Sequence, residues 1–415
     1  MTAILFRGAR LVDGLADTAR ETTDVLVIDD RIAAIAGPAD GPIARPDLPD
    51  LRVIELAGHT LMPGLIDAHV HASAAVVMED VARPMPASLR AQHARIELEA
   101  MLRRGFTTAR DAGGADAGLR MAVEQGLIDG PRLLVSGKAL SQTGGHGDDR
   151  AVVDGDPVPG AWPGDFARIA DGIDEVRLAA RQELRRGADQ IKICASGGVM
   201  SETDPIDMLQ YSEGEISAIV EEAASRGTYV LAHAYGGPAI ARAVRCGVRS
   251  IEHANLVDVA AADEVAAHGA WVVPTLVTYD TLARDGAAQG MDPRRLAKVD
   301  VVREAGLRSF DILRRAGAKV GFGTDLLGPH RVLQPHEFRI RAEAERPADI
   351  VRSATSVNAD LIGRPDLGRV AVGATADLIV VDGDPLADIG VLASPAESLR
   401  LVMTGGRIRV DALPS

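Results

Sequence analysis

The sequence predicts an α/β protein: a (β/α)8, TIM-like barrel with a small β-sandwich formed by the two ends of the chain. Three observations support this fold class. Short alternating apolar segments, separated by Gly and Asp-Pro turns, occur at both ends, whereas strand-length and helix-length segments alternate in the middle. Apolar residues make up 47% of the chain and aromatic residues only 3%. Ala, Val, Leu and Ile must therefore build the core, which suits parallel strands covered by helices.

The β-sandwich is predicted from residues 1–62 and 358–415. Each set of strands is too small to bury a sheet face alone, so we expect the two ends to pair. The N-terminal strands are predicted at Ala3–Phe6, Asp24–Ile28, Arg31–Ile35 and Leu51–Ile54. The C-terminal strands are predicted at Arg369–Val372, Ala376–Val381, Leu399–Met403 and Gly406–Val410.

The barrel is predicted from residues 63–357, where eight strands are each followed by a helix-length segment. Helix periodicity is clear in residues 215–223, because Ile216, Ile219, Val220 and Ala223 form one stripe. An open doubly wound sheet is the alternative, and the count of eight strands favours the barrel. The predicted strands are one ending at His71, then Phe106–Asp111, Arg132–Ser136, Gln190–Cys194, Tyr229–His233, Ser250–His253, Trp271–Thr275 and Lys319–Asp325.

A long loop, residues 140–163, follows the third predicted strand. It is rich in Gly, Asp and Pro and shows no periodicity. Loops of this length in a compact domain are usually functional. We therefore expect this loop to lie over the mouth of the barrel.

Composition limits the classes of partner. The formal net charge of -14 argues against nucleic acid or an anionic membrane, because both bind basic patches. Cys194 and Cys246 are too few for a disulfide framework. The N-terminus does not resemble a signal peptide, and no segment has the length of a membrane span. We expect a cytoplasmic protein that acts on a small molecule or a short peptide.

The stretch 61–71 contains the first candidate metal ligands. His69 and His71 lie two residues apart in a strand, so their imidazoles project from the same face and form half of a metal site. Further polar residues occur at or near the C-terminal ends of predicted strands, where barrel enzymes collect their catalytic groups. These residues are Lys192, His233, His253 and Asp325. Singly, His233 could be a packed core histidine and Asp325 a helix N-cap; their common placement favours a metal site.

Lys192 lies between two isoleucines in an apolar strand, where a free ammonium is costly to desolvate. One interpretation is a buried lysine paired with an acid such as Asp189. The other is that the uncharged amine takes up carbon dioxide and the resulting carbamate bridges two metal ions. Cys194, two residues further along, is interpreted as a packing residue, because metals would already supply the nucleophile.

Taken together, these motifs resemble the binuclear, metal-dependent branch of the amidohydrolase superfamily. The resemblance spans the whole chain and rests on five short motifs, at residues 63–71, 191–193, 232–236, 251–254 and 323–325. Residues 141–148, 195–201 and 203–205 further resemble the group that contains Xaa-Pro dipeptidases, related carboxypeptidases and ochratoxin-type amidases.

The resemblance implies two divalent metal ions, most suitably Zn²⁺. By motif, His69, His71 and Asp325 would bind the more buried ion, His233 and His253 the more exposed one, and a carbon dioxide-derived carbamate on Lys192 would bridge them. Tyr235 and His146 would contact the substrate carbonyl or carboxylate. Asp325 would transfer the proton. The resemblance also implies a homo-oligomer.

The function expected from this site is hydrolysis of an amide or peptide bond by a metal-bridging hydroxide. The expected substrate is a dipeptide or N-acyl amino acid, whose C-terminal residue is released. An ochratoxin-like amidase or a carbamate or lactam hydrolase would use the same site. A mononuclear deaminase or imidazolone hydrolase would lack the lysine, and a non-catalytic protein of the dihydropyrimidinase-related kind would have lost ligands.

Six remaining polar residues have weaker patterns. His330, His336 and Glu337 are interpreted as either substrate contacts or solvated residues. His59, His93 and His268 have no motif around them, so we expect surface or packing roles for them.

Overall fold

The computed structural model describes residues 2–44, 48, 50–74, 85–148, 150, 166–201 and 203–413. The strands are β1 (Ala3–Leu11), β2 (Arg20–Ile28), β3 (Arg31–Ala36), β4 (Leu51–Glu55), β5 (His59–Pro63), β6 (Leu65–Val70), β7 (Phe106–Asp111), β8 (Arg132–Leu134), β9 (Ala139–Ser141), β10 (Ala167–Ile169), β11 (Ile191–Cys194), β12 (Val230–Gly236), β13 (Ser250–Leu256), β14 (Trp271–Val273), β15 (Lys319–Val320), β16 (Leu378–Asp382), β17 (Leu399–Thr404) and β18 (Arg407–Asp411). The helices are α1 (Ala87–Arg103), α2 (Ala117–Glu124), α3 (Gly172–Arg185), α4 (Glu213–Ser225), α5 (Gly237–Arg245), α6 (Val259–Ala267), α7 (Leu276–Asp285), α8 (Pro293–Ala316), α9 (His336–Arg341), α10 (Pro347–Arg352), α11 (Asn358–Leu361), α12 (Gly390–Ala393) and α13 (Pro395–Ser398).

The two ends of the chain pair in one sheet of eight strands, rather than in two separate sheets. Its order is β18-β17-β16-β5-β1-β2-β3, and β4 pairs with β1 in addition. The central pair joins β5 to β16 in antiparallel register. Apolar side chains from both ends, such as Phe6 and Leu401, share one buried cluster. The expected pairing of the ends is therefore present.

One predicted strand of this sheet is absent, and one strand was not predicted. The segment Arg369–Val372 forms no strand, because Gly368 and Gly373, with φ of 64° and 85°, turn the chain on either side of it. Residues 59–63, for which no strand was predicted, form β5. Gly64 separates β5 from β6, and a Cβ there would lie 2.1 Å from Thr107 Oγ1.

The middle of the chain contains two parallel sheets. One has the order β6-β7-β8 and the other β10-β9-β11-β12-β13-β14-β15. Backbone hydrogen bonds connect them at both ends: Ala68 N donates to Phe322 O (2.9 Å), and Asp189 N donates to Val135 O (2.7 Å). The protein therefore has a mixed α/β fold with parallel sheets. The domain limits at 62/63 and 357/358 stay a prediction.

Several central elements differ in extent from the prediction. The last central strand, β15, ends at Val320, and residues 321–325 continue without strand pairing. The short strands β9 and β10 were not predicted. In contrast, the predicted stripe on residues 215–223 lies within α4, where Ile216, Ile219 and Ala223 are buried.

The expected mouth loop, residues 140–163, is described only in part. Its first residues belong to β9, and His146 follows on a turn. Residue 149 and residues 151–163 lie outside the described residues. Within the described ranges, none of the helices combines the length and apolarity that a membrane crossing requires.

Candidate functional site

One cavity of about 290 Å³ brings the predicted site residues together. It lies at the C-terminal ends of the parallel strands, where β6, β11, β12 and β13 point toward it. The eight predicted residues that line it are His69, His71, His146, Lys192, His233, Tyr235, His253 and Asp325. Cys194, interpreted above as packing, and His330 line the same cavity.

His69, His71 and Asp325 form a compact set of candidate metal ligands. Their ligand atoms lie within 4.8 Å of one another. His71 Nε2 is 3.0 Å and His69 Nε2 is 3.4 Å from Asp325 Oδ1. Burial opposes ionisation of Asp325, but the two imidazoles outweigh it and hold the pKa of Asp325 well below its usual value. His69 Nε2 is buried without a hydrogen-bond partner among the described residues, as a nitrogen intended for a cation would be.

Two backbone carbonyls determine which nitrogen of two histidines stays available. His71 Nδ1 donates to Gly113 O at 2.9 Å. His233 Nε2 donates to Gly197 O at 3.1 Å. Because a carbonyl can only accept, each of these nitrogens must hold the proton. His71 therefore offers Nε2 to the cavity and His233 offers Nδ1.

The backbone is left-handed at two of the candidate ligands. His253 has φ of 74° and Asp325 has φ of 54°, a region that non-glycine residues rarely occupy. His253 Nδ1 also contacts Thr275 Oγ1 at 2.8 Å. Asp325 N donates to His69 O at 2.9 Å. Strained residues that are held this firmly concentrate at functional sites.

Sequence reasoning missed a buried ion pair behind His69. Glu252 Oε2 lies 2.6 Å from His69 Nδ1, and Arg110 Nη2 donates to Glu252 Oε1 at 2.8 Å. Both charged side chains are fully buried. Burial raises the pKa of Glu252, but Arg110 and His69 outweigh it, so the pKa lies well below its usual value. The available signal was the presence of Arg110 and Glu252 within two predicted strands of the barrel, now β7 and β13.

Lys192 is 4% exposed, and burial lowers the pKa of its ammonium. The interpretation that Asp189 neutralises it was wrong. Asp189 instead accepts hydrogen bonds from the Arg120 guanidinium and from Val135 N. The carboxylates that act most on Lys192 are those of Glu252 and Asp325.

Tyr235 points into the cavity next to a second tyrosine that sequence reasoning missed. Tyr235 Oη and Tyr279 Oη lie 2.9 Å apart. Burial raises the pKa of Tyr235 above its usual value, so its hydroxyl stays protonated at neutral pH. Tyr279 comes from the first turn of α7, and no pattern in that helix marked it.

His146 is held against the candidate ligands by its neighbours. Its ring stacks on that of His233, with 4.1 Å between centroids. Its Nδ1 contacts Ser201 Oγ at 3.0 Å, and its backbone N donates to Gln210 Oε1 at 3.0 Å. Burial lowers the pKa of the His146 imidazole.

Replacing Gly198 with alanine is expected to displace the His146 ring. A Cβ at this position would lie 2.0 Å from the His146 ring, which is already stacked on the His233 ring and must shift to make room. We expect kcat/KM to fall about 10- to 100-fold, as for a lost charge-assisted hydrogen bond. Kinetics of Gly198→Ala, His146→Ala and the double variant test this. If the losses in the two single variants add fully in the double variant, the prediction is contradicted, because both changes should remove the same contact.

The three undecided residues have different positions. His330 lines the cavity, and its ring lies near Gln289 and Asp285. His336 is partly exposed near Asp280. Glu337 is fully buried and accepts a hydrogen bond from Val277 N (2.7 Å) in the first turn of α7, the helix that presents Tyr279.

The three remaining histidines lie outside the described cavity lining. His59 Nε2 lies 3.1 Å from Asp382 Oδ1, and His268 is exposed at the end of α6. His93 is half-buried within α1. These positions agree with the expected surface and packing roles.

Replacing Glu337 with glutamine is expected to change how stability depends on pH. Burial raises the pKa of Glu337 to about 8, whereas an unfolded glutamate titrates at about 4.3. Between these two pH values the folded protein keeps the proton on Glu337, whereas the unfolded chain releases it. The free energy of unfolding therefore falls as the pH rises. Urea unfolding near pH 5 and pH 8 should show Glu337→Gln gaining stability over wild type at the higher pH. Glu343→Gln, at an exposed site, is the control; equal slopes in all three proteins would contradict the prediction.

Comparisons with known proteins identify the family of this chain. The sequence profile of the Amidohydrolase family matches residues 60–409. The ochratoxinase of Aspergillus niger is 34% identical over 404 residues, which cover 92% of this chain and 82% of that protein. An amidohydrolase of known crystal structure is 51% identical in sequence to this chain, with a TM-score of 0.95. The match covers 100% of this chain and 100% of that one. A prolidase solved with N-methylphosphonate-L-proline is 50% identical, with a TM-score of 0.94 and coverage of 99% of this chain and 100% of that one. The chain therefore belongs to the amidohydrolase family and is a hydrolase.

Proposed function

We propose that this protein is a metal-dependent hydrolase that cleaves the amide bond of a dipeptide or N-acyl amino acid and releases the C-terminal residue. The observation that supports this most is that the four candidate ligand histidines, Lys192 and Asp325 all line one cavity. A prolidase and an ochratoxinase among the similar proteins support the amide class of substrate.

The donor set fits two divalent cations, most suitably zinc, since imidazole and carboxylate are its usual ligands. His69, His71 and Asp325 would hold one ion, and His233 and His253 the other. Lys192, after adding its neutral amine to carbon dioxide with loss of a proton, would provide carboxylate oxygens between them. When bound, such cations acidify water and polarise a carbonyl group.

The chain's own residues would then orient the substrate and move the proton. Asp325, whose carboxylate is held ionised, accepts a proton from water at Oδ and delivers it to the departing nitrogen. The protonated Tyr235 hydroxyl donates to the substrate carbonyl or carboxylate oxygen. His146 would offer a second polar contact, since it lines the same cavity next to His233.

We also propose that the two parallel sheets form one (β/α)8 barrel and that the terminal sheet folds over as a small sandwich. The backbone hydrogen bonds at residues 68–322 and 189–135 support the barrel. In a barrel, all candidate ligands would lie at the C-terminal face, as they do here around one cavity.

A second candidate function is an ochratoxin-like amidase, because the A. niger ochratoxinase is 34% identical over most of both chains. The two proposals share the bond cleaved and differ in the acyl group. A bulky aromatic acyl group would have to fit the same cavity of about 290 Å³.

Metal analysis together with a substrate panel tests the proposal. The panel contains Xaa-Pro, Xaa-Arg and Xaa-Phe dipeptides, N-acyl amino acids and an N-acyl phenylalanine with a bulky aromatic acyl group. We expect close to two metal ions per chain and turnover of at least one free-acid amide, lost on chelation and restored by zinc. Fully metallated protein that hydrolyses no amide would overturn the proposal.

A further inference from the structure

We propose that Thr275 and Tyr279 are positioning residues that aim the Tyr235 hydroxyl proton at the carbonyl oxygen of the bond that is cleaved. They would do so through a chain of hydrogen bonds that starts at His253. This inference rests on the proposed function, in which Tyr235 donates to the substrate. The Tyr235 ring contacts the rings of His253 and His233, with 5.5 and 4.7 Å between centroids. Tyr235 therefore lies beside the two histidines that would hold the more exposed ion.

The tyrosine pair has two possible hydrogen-bond directions. Tyr235 Oη and Tyr279 Oη lie 2.9 Å apart, so one hydroxyl donates to the other. With Tyr235 as the donor, its only proton would point away from the substrate. With Tyr279 as the donor, the Tyr235 proton is left for the cavity, which both residues line. The direction of this one hydrogen bond therefore determines whether Tyr235 can donate to the substrate.

Thr275 supplies the group that sets the direction. Its Oγ1 lies 2.8 Å from His253 Nδ1, and its side chain also hydrogen-bonds with Tyr279. Because Nδ1 of His253 is engaged, Nε2 is the nitrogen left for a metal ion, and a histidine that binds a metal through Nε2 carries its proton on Nδ1. His253 then donates to Thr275, which keeps its own proton for Tyr279. Tyr279, in turn, donates to Tyr235.

Thr275 is available for this role because it does not cap its own helix. A threonine at the N-cap usually accepts a hydrogen bond from a backbone N–H of the first turn. Thr275 is the N-cap of α7, yet its side chain makes no such bond within the described helix. The buried carboxylate of Glu337 takes that place and accepts from Val277 N at 2.7 Å. The Thr275 hydroxyl therefore serves the chain of hydrogen bonds instead of the helix.

Burial and ring packing hold the chain in place. The four side chains are buried, so their polar atoms bond to one another instead of to solvent. The Tyr279 ring lies edge-on to the rings of Tyr235 and His253, with 5.9 and 6.1 Å between centroids. A hydroxyl that accepts a hydrogen bond is a stronger donor. Tyr235 is thus pre-organised to donate to an oxygen on which negative charge develops.

Phenylalanine variants test whether Tyr279 acts through Tyr235. With the amide that wild type cleaves fastest, we expect Tyr235→Phe to lower kcat about 100- to 1,000-fold, as for a lost donor to a developing oxyanion. Tyr279→Phe should lower kcat about 3- to 10-fold with little change in KM, as for one lost neutral hydrogen bond. In the Tyr235→Phe background, Tyr279→Phe should cause no further loss of kcat.

Thr275 variants test the part of the chain next to His253. At saturating zinc, Thr275→Val should lower kcat by about the same factor as Tyr279→Phe, and the double variant should lose no more than either single one. Thr275→Ser, which keeps the hydroxyl, should retain the wild-type kcat. Competition with a zinc chelator adds a measurement that is independent of turnover. Thr275→Val should lower zinc affinity about 10-fold, because His253 loses its partner, whereas Thr275→Ser and Tyr279→Phe should keep the wild-type affinity.

Thr281→Val is the matched control. Thr281 is a buried threonine of the same helix, its hydroxyl donates to Val277 O at 2.7 Å, and it lies outside the described cavity lining. This variant should keep both the kcat and the zinc affinity of wild type.

The outcomes distinguish this inference from the proposed function. If Tyr279→Phe lowers kcat equally with and without the Tyr235 hydroxyl, or if the Thr275 and Tyr279 losses add fully, the inference is wrong and the proposed function stands. If wild type hydrolyses no amide, the proposed function fails and this inference fails with it. Circular dichroism shows whether each variant is folded. Should Thr275→Val be unfolded, the comparison of the Tyr235 and Tyr279 variants gives the answer alone.

Discussion

Replacing Lys192 with alanine is expected to lower kcat/KM by at least about 1,000-fold and to reduce the metal content of the purified protein. The buried side chain lies in the cavity with all the candidate ligands, and its pKa is lowered by burial, which favours the neutral amine that reacts with carbon dioxide. Without it, the proposed carbamate between the two sets of ligands cannot form. Metal analysis and hydrolysis assays measure both effects, and a ¹³C carbamate signal should be present only in wild type.

Lys319→Ala provides the matched control, since Lys319 begins β15 at the end opposite the cavity and stacks on Trp271. It should retain metal and activity. A Lys192→Ala protein with the full metal complement and unreduced activity would rule out the bridging role.

Replacing Glu252 with glutamine is expected to weaken both the metal site and the fold. The change removes the charge that orients the His69 imidazole. Loss of such a partner typically lowers metal affinity about 10- to 100-fold. It also leaves Arg110 buried without its counter-charge, which destabilises a protein by about 3 to 5 kcal/mol. Competition with a zinc chelator measures the first effect. Urea unfolding of metal-free protein measures the second.

The partly exposed Glu264 on α6 supplies the control, because its contacts with Arg245 and His268 lie near the surface. Glu264→Gln should change neither quantity by much. Should Glu252→Gln bind zinc as tightly as wild type, orientation of His69 by Glu252 would be of no consequence for the site.

Strand spacing predicted that the candidate metal ligands meet in one cavity, whereas His146 and Tyr235 were expected only from the resemblance to the amidohydrolase superfamily. His69 and His71 share a strand face because side chains alternate, and Lys192, His233 and His253 lie at or near the C-terminal ends of predicted parallel strands, which meet at one edge. These relations depend only on strand geometry. No knowledge of which strands are neighbours was needed.

Contacts between residues on different strands or helices could not be predicted. Glu252 reaches His69 and Arg110 from other strands, and Tyr279 meets Tyr235 from a helix, so no single segment contains the signal. The predicted strand at residues 369–372 was wrong for a different reason. The residues at 369–372 have strand-like composition, but the glycines on both sides turn the backbone before any pairing occurs.

The pairing of β5 with β16 has a consequence for biosynthesis. About three quarters of the chain, residues 64–377, must be translated after β5 before its partner β16 exists, which takes on the order of 15 to 60 s at roughly 5 to 20 residues per second. During that time one edge of β5 remains open to other chains, the situation in which strands aggregate. That edge of β5 is covered only after β16 has left the ribosome.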